Sequence, residues 1–262
     1  LCGEIMRLID THCHLNAEAF KDHWQNTLQE AQQRGVSHCF VVGWDEASSR
    51  LAVNLAQQNP AIKAIIGVHP VDVKVDTDLS WIKDLYHQHP NHILAIGEIG
   101  LDYYWEKDPS KHEQQALYMK IQIEIANALG LPIVVHCRDA YEAILPILKS
   151  NPVKAGGVMH CYAGPSHLIP DFAQLGFYFS YGGPVTFKNA HEARDSVKQT
   201  PIDRILIETD SPYLSPHPFR GKPNSPTQLP IIYEAIQTIT QTKELESILI
   251  QNTLEAFHVK TL

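Results

Sequence analysis

The chain has 262 residues and a net charge of −8, from 21 basic and 29 acidic side chains, which allows a large core in one domain and excludes a broad basic surface for duplex nucleic acid. It contains no run of about 18 apolar residues and no basic–apolar–small leader pattern, so neither a membrane span nor a secretory signal is expected. Its five cysteines (Cys2, Cys13, Cys39, Cys137, Cys161) are scattered without CxxC spacing, which argues for a reducing, cytoplasmic setting and against a disulfide framework or a thiolate zinc site.

In chain order, "LCGEIM" ahead of Arg7 reads as a short leader over 1–6, with Met6 an alternative start. The apolar run "RLIDTH" (7–12) has strand character and is followed by a helical pattern over 18–33. "HCFVVG" (38–43) with a helix over 46–58 repeats the unit, as does "KAIIGVH" (63–69) with 78–88. "ILAIGEIG" (93–100) precedes a longer helix over 110–129, "PIVVHC" (132–137) one over 139–150, and "GGVMHC" (156–161) one over 166–174. "FYFSYGG" (177–183) leads to 189–199. "RILIETD" (204–210) leads into a proline-rich loop, "SPYLSPHPFRGKPNSP" (211–226), before closing helices over 227–240 and 244–257. The runs are too apolar for half-exposed strands and suit a parallel sheet covered by helices. Eight such units with no linker predict an α/β fold, a (β/α)8 TIM barrel forming a single domain over 1–262.

In a barrel, the polar residues that close these runs lie at the C-terminal mouth, where active sites form. They are His12 and His14, His69, Glu98, His136, His160 and Asp210. Side chains two apart in an extended segment share a face, so His12 and His14 point together and Cys13 points away. Taken singly, a strand-end histidine is usually a hydrogen-bonded loop residue and a strand-end acid a helix cap. Their joint convergence on one rim, with no lysine to neutralise the acids, points instead to a metal site. Mixed imidazole and carboxylate donors suit Zn2+ or Mn2+, and a carboxylate-rich side tolerates Mg2+. Six donors (His12, His14, Glu98, His136, His160 and Asp210) are too many for one tetrahedral ion. They predict two divalent ions about 3.5–4 Å apart, bridged by a carboxylate.

The motifs "DTHCH", "GVHP", "GEIGLDYY", "HCRDA", "HCYAG" and "ETDSPYL…RGK", in that order from Ile9 to about Pro226, resemble the TatD family of metal-dependent deoxyribonucleases, within the amidohydrolase-like superfamily. The resemblance implies a TIM barrel, a dinuclear metal centre and phosphodiester hydrolysis. It also implies the metal ligands His12, His14, Glu98, His136, His160 and Asp210. Relatives in the superfamily often bridge their metals with a carboxylated lysine; here Glu98 stands on the fourth strand. Pro223 and Ser225 replace a basic and an acidic residue of the family's usual "RGKRNEP", and Tyr162 and Ala163 depart from "HCFSG". These departures flank the cavity and bear on substrate preference.

Glu98 is expected to bridge the ions, with His12 and His14 on one and His136 and His160 on the other. Asp210 is expected to contact an ion and take the proton of the attacking water. Glu208 should lie deeper, in a polar contact. Asp102 reads as a partner orienting a ligand, or as a loop cap. Cys13, Cys137 and Cys161 each follow a ligand histidine and should face outward as packing. Arg138 is expected to fork onto a phosphate oxygen, the competing role being an ion pair with Asp139 or another rim acid. His69, Arg220 and Lys222 are further candidate substrate contacts, and Tyr103, Tyr104 and Trp105 a stacking surface or mouth packing. The function expected is hydrolysis at the ends of short single-stranded DNA or RNA, with no membrane and no obligate protein partner. The same metal-bound water attacks carbonyls, so an amide, lactone or aminoacyl-ester hydrolase is the competing enzyme reading. A noncatalytic metal-binding scaffold is the other rival, although it would not need Asp210 beside five other donors.

Overall fold

Each predicted apolar run forms a strand in the computed structural model, which describes residues 6–262; all of the leader proposed over 1–6 except Met6, together with Cys2, lies outside the described residues. The strands are β1 (Leu8–Cys13), β2 (Val36–Val42), β3 (Ile62–Ile66), β4 (Ile93–Asp102), β5 (Ile133–Arg138), β6 (Gly157–Met159), β7 (Phe177–Tyr181) and β8 (Ile205–Ile207). Each pairs in parallel with the next. Around them run α1 (Trp24–Gln33), α2 (Glu46–Gln58), α3 (Ser80–Gln88), α4 (Pro109–Leu129), α5 (Tyr141–Ser150), α6 (Ile169–Gln174), α7 (His191–Gln199), α8 (Leu229–Thr240) and α9 (Leu245–Ala256). This is a single-domain (β/α)8 barrel. Among the described residues no helix is long and apolar enough to cross a membrane.

Side-chain alternation sorts the strands into two apolar layers. Phe40, Val42, Ile65, Val134, Val158 and Leu206, from five strands, pack into one inner cluster that Phe257 closes from below. Their odd-numbered or even-numbered neighbours, such as Val41, Ile66, Val135 and Met159, pack outward against the helices. Continuing the inner face upward from Val134, Val158 and Leu206 reaches His136, His160 and Glu208. The site therefore sits directly on the barrel core.

Two of the breaks in this alternation bear on the site. Between Asp10 and Cys13, β1 spends three residues where β2 spends two, and between Ile96 and Ile99, β4 does the same against β5. A bulge of this kind re-aims a side chain, and here the two bulges hold His12 and Glu98. Glu98 is thus a mid-strand residue, since β4 runs on to Asp102. β8 is shorter than its motif, and Asp210 lies beyond it in a left-handed backbone conformation (φ 55°). The β8–β1 seam is closed at the mouth by Asp210 N–H to the His12 carbonyl (2.9 Å) and His14 N–H to the Ser211 carbonyl (2.8 Å). Thr11 Oγ1 also donates to the Ile207 carbonyl at 2.9 Å.

Candidate metal centre

The two oxygens of Glu98, whose side chain is buried, address different sets of histidines. Oε2 lies 3.4 Å from His12 Nε2 and 4.0 Å from His14 Nε2. Oε1 lies 2.8 Å from His136 Nδ1, 3.0 Å from His160 Nε2 and 3.6 Å from His69 Nε2. Asp210 Oδ1 joins the first set, 3.3 Å from His14 Nε2 and 3.7 Å from His12 Nε2. The six expected donors thus share one cavity.

Three of the four histidines are anchored through the nitrogen that faces away from the cluster. His14 Nδ1 donates to the Val42 carbonyl (2.9 Å), His160 Nδ1 to Glu208 Oε1 (3.0 Å) and His136 Nε2 to Asp102 Oδ2 (2.9 Å). Metal-ligating histidines are held in this way, which fixes the ring and directs the other nitrogen inward. His12 is stacked on His160 with centroids 3.8 Å apart, and both its ring nitrogens are buried without a hydrogen-bond partner. Buried polar atoms normally find partners, so His12 has the environment of a ligand. Four imidazoles with two carboxylates fit one or two divalent cations.

His69 differs from the other four. Its Nδ1 accepts the Val71 backbone N–H at 3.2 Å, so in the neutral ring the proton sits on Nε2, the atom that faces the cavity. Burial, reinforced by His136, pushes its pKa down to about 3, and the ring is neutral. His69 therefore enters the site as a donor, whereas a ligand would present a lone pair.

The charge balance follows from burial and proximity. Burial alone would raise Glu98, but the charge of His160 and the hydrogen bonds of His12 and His136 outweigh it and hold the carboxyl well below the usual range. Burial would likewise lower His160, yet Glu208 and Glu98 push it well above an ordinary histidine. His136 is raised by Asp102 and Glu98 against the same opposition. Asp210 is held down by His14, His160 and His12 despite its burial. Burial and His160 push His12 down, whereas His14 is raised by Asp210 and Glu98 against its burial. The protons that the ionised carboxylates retain on His14, His136 and His160 are the ones a cation would displace.

Sequence reading misjudges the surroundings more than the cluster. Asp102 fills both expected roles, since Oδ2 anchors His136 while Oδ1 accepts the backbone N–H groups of Tyr104 (3.0 Å) and Trp105 (2.7 Å). Arg138 makes no ion pair with Asp139 among the described residues; its guanidinium lies 3.7 Å above the Tyr104 ring. Tyr103 is packing, stacked on His112 at 3.6 Å. Arg220 and Lys222 lie over Phe187 and Phe219, and neither comes within ion-pair distance of Glu98 or Asp210. Cys13 and Cys137 pack outward as expected, but Cys161 sits in a left-handed turn after β6 (φ 45°), only partly buried, so strand alternation does not apply to it. Sequence reading assigned no role to Asp10. This fully buried carboxylate accepts from Thr209 N–H (2.9 Å), Thr209 Oγ1 (2.5 Å) and His12 N–H (3.3 Å). Its signal was present, as the acid two residues before the HxH pair.

The barrel and its histidine–carboxylate cluster define a metal-dependent hydrolase, and comparison with known proteins narrows the class. The family model for TatD-related DNases matches residues 9–258. An uncharacterized metal-dependent hydrolase from Bacillus subtilis, YabD, is 40% identical over 96% of this chain and 99% of its own length. YcfH of Escherichia coli, also an uncharacterized metal-dependent hydrolase, is 34% identical over 97% of each chain. The crystal structure of YjjV, a TatD homologue from Escherichia coli, superposes with a TM-score of 0.91 at 29% identity, over 97% of this chain and 99% of that one. The chain belongs to the TatD family of metal-dependent hydrolases.

Proposed function

We propose that the protein hydrolyses phosphodiester bonds at the ends of short single-stranded nucleic acid, with two divalent cations (Zn2+, Mn2+ or Mg2+) as cofactors. The observation that carries this reading is the division of Glu98, with Oε2 toward His12 and His14 and Oε1 toward His136 and His160. His12, His14 and Asp210 would hold one ion, His136 and His160 the other, with Glu98 between them. The bound cations would supply Lewis acidity and a water of lowered pKa. Asp210, ionised and at the edge of the cluster, would take up the proton of an attacking water. His69 donates from Nε2 to a phosphate or leaving-group oxygen. Arg138 offers its unpaired guanidinium to a phosphate, with Arg220 and Lys222 on the last loop as more distant cations. The net charge of −8 favours a short strand end held at the mouth over a duplex lying along a groove.

A substrate panel on protein loaded in turn with each metal tests the reading. Turnover of single-stranded oligonucleotides, and none of amides, lactones or aminoacyl esters, is expected. Carbonyl hydrolysis without phosphodiester hydrolysis would transfer the same machinery to the rival class, and no turnover with full metal occupancy would favour a scaffold.

A further inference from the structure

The two most exposed phenylalanine, tyrosine or tryptophan rings among the described residues stand at the mouth on opposite sides of the cluster. Trp105 is 69% exposed and Tyr213 58% exposed, far from the usual state of large aromatic side chains. Both are held by the site itself. The Trp105 N–H is fixed by Asp102, the carboxylate that anchors His136. The Tyr213 N–H is fixed by the Asp210 carbonyl (2.9 Å) and its own carbonyl by buried Asn224 (2.7 Å), which sets the ring 6.0 Å from that of His14. In an eight-stranded barrel, strands four apart face each other across the axis, so β4 and β5 lie opposite β8 and β1. Trp105 therefore flanks the Oε1 side of Glu98, and Tyr213 the Oε2 side.

A cation accompanies one of the rings. Arg138 lies flat on Tyr104, with its guanidinium 5.6 Å from the Trp105 ring, and its side chain has no acidic partner among the described residues. Two π-faces on either side of the candidate metal cluster, with a guanidinium next to one of them, complement a chain of alternating bases and phosphates. A duplex offers no free base faces along its length, whereas an unpaired strand does.

We propose that Trp105 and Tyr213 are base-stacking platforms for the two nucleotides that flank the scissile bond, with Arg138 taking a phosphate on the Trp105 side. The proposal rests on the phosphodiesterase reading and sharpens its substrate to an unpaired strand with a base on each side of the cleaved bond.

The test uses the metal-loaded full chain with an octathymidylate and an abasic tetrahydrofuran oligomer of the same length. Trp105→Ala and Tyr213→Ala should each lower the ratio of kcat/KM for the based over the abasic strand by about 5- to 100-fold, the range that stacking supports. Trp105→Phe should restore most of it. In stopped-flow mixing before turnover, octathymidylate should quench tryptophan emission and the abasic strand should not, and Trp105→Phe should abolish the quench. Trp105 is the one exposed reporter, since Trp24 and Trp81 are buried and Trp44 is half-buried. An unmoved ratio in both alanine variants, or equal quenching by the abasic strand, overturns the platforms. If the wild type cleaves neither oligomer, the phosphodiesterase reading falls, and the quenching comparison still decides the Trp105 platform.

Discussion

At Asp210, ligand and base make different demands on one carboxylate. Asparagine keeps an oxygen for a cation and loses the ability to take a proton. If Asp210 is the base, Asp210→Asn should keep most of the metal, lower kcat by about 10²–10⁴-fold and remove the acidic limb of the pH–rate profile. Loss of metal together with activity would make it chiefly a ligand. A fall of less than tenfold with metal retained would reject the base assignment. Glu208 makes the complementary case, because it touches His160 and no other member of the cluster. Glu208→Ala should weaken metal binding by about 10–100-fold, measured by competition with a chromophoric chelator, and Glu208→Gln should recover part of that loss. Equal affinity in all three proteins would mean that Glu208 does not orient the ring.

Among the elements, β4 determines how far the site reaches into the barrel. Its bulge turns Glu98 inward, and Gly100 lets β5 come close enough for His136 to meet that carboxylate. A Cβ on Gly100 would stand 1.9 Å from the His136 carbonyl oxygen, at φ 148°. Gly130 caps α4 at φ 69° with nothing within 4 Å. Both alanine substitutions carry backbone strain, but only Gly100→Ala adds a backbone collision. Gly130→Ala should cost about 1 kcal/mol and Gly100→Ala more than about 3 kcal/mol, compared by urea midpoints. Similar costs would show that the β4–β5 approach is looser than this. The same strand shows where sequence reading stops. Apolar runs and turn residues marked all eight strands, and α2 matched 46–58 at both ends because Asp45 caps it through Ser48. The convergence of the six candidate donors was legible because the polar residues ending apolar runs share one rim. The bulges at His12 and Glu98 were not, since one extra residue in a ladder leaves no compositional trace. Nor were the contacts of Arg138, Tyr103, Arg220 and Lys222, which depend on loop paths that strand periodicity does not describe.

For the whole molecule, the described strand ladders run from β1 to β8 without one between β8 and β1, and at that seam Asp10 joins the backbone of His12 to that of Thr209, between Glu208 and Asp210. Asp10 thus ties the two strands that carry the Oε2 side of the site. Burial raises its pKa from 3.8 to about 7, against the lowering effect of the Thr209 hydrogen bonds. Between these two values the folded protein holds a proton that the unfolded chain has released. The contribution of this group to stability is therefore fully present below pH 3.8 and is lost as pH rises through about 7. Its slope is about −1.4 kcal/mol per pH unit, roughly 4 kcal/mol in all. Asp10→Asn removes the titration and keeps an oxygen for the two backbone N–H groups. The stability of EDTA-treated wild type minus that of Asp10→Asn, from urea unfolding between pH 4.5 and 8, should fall steadily to about pH 7 and then level off. A flat difference would mean that Asp10 is ionised throughout and that its hydrogen bonds outweigh its burial.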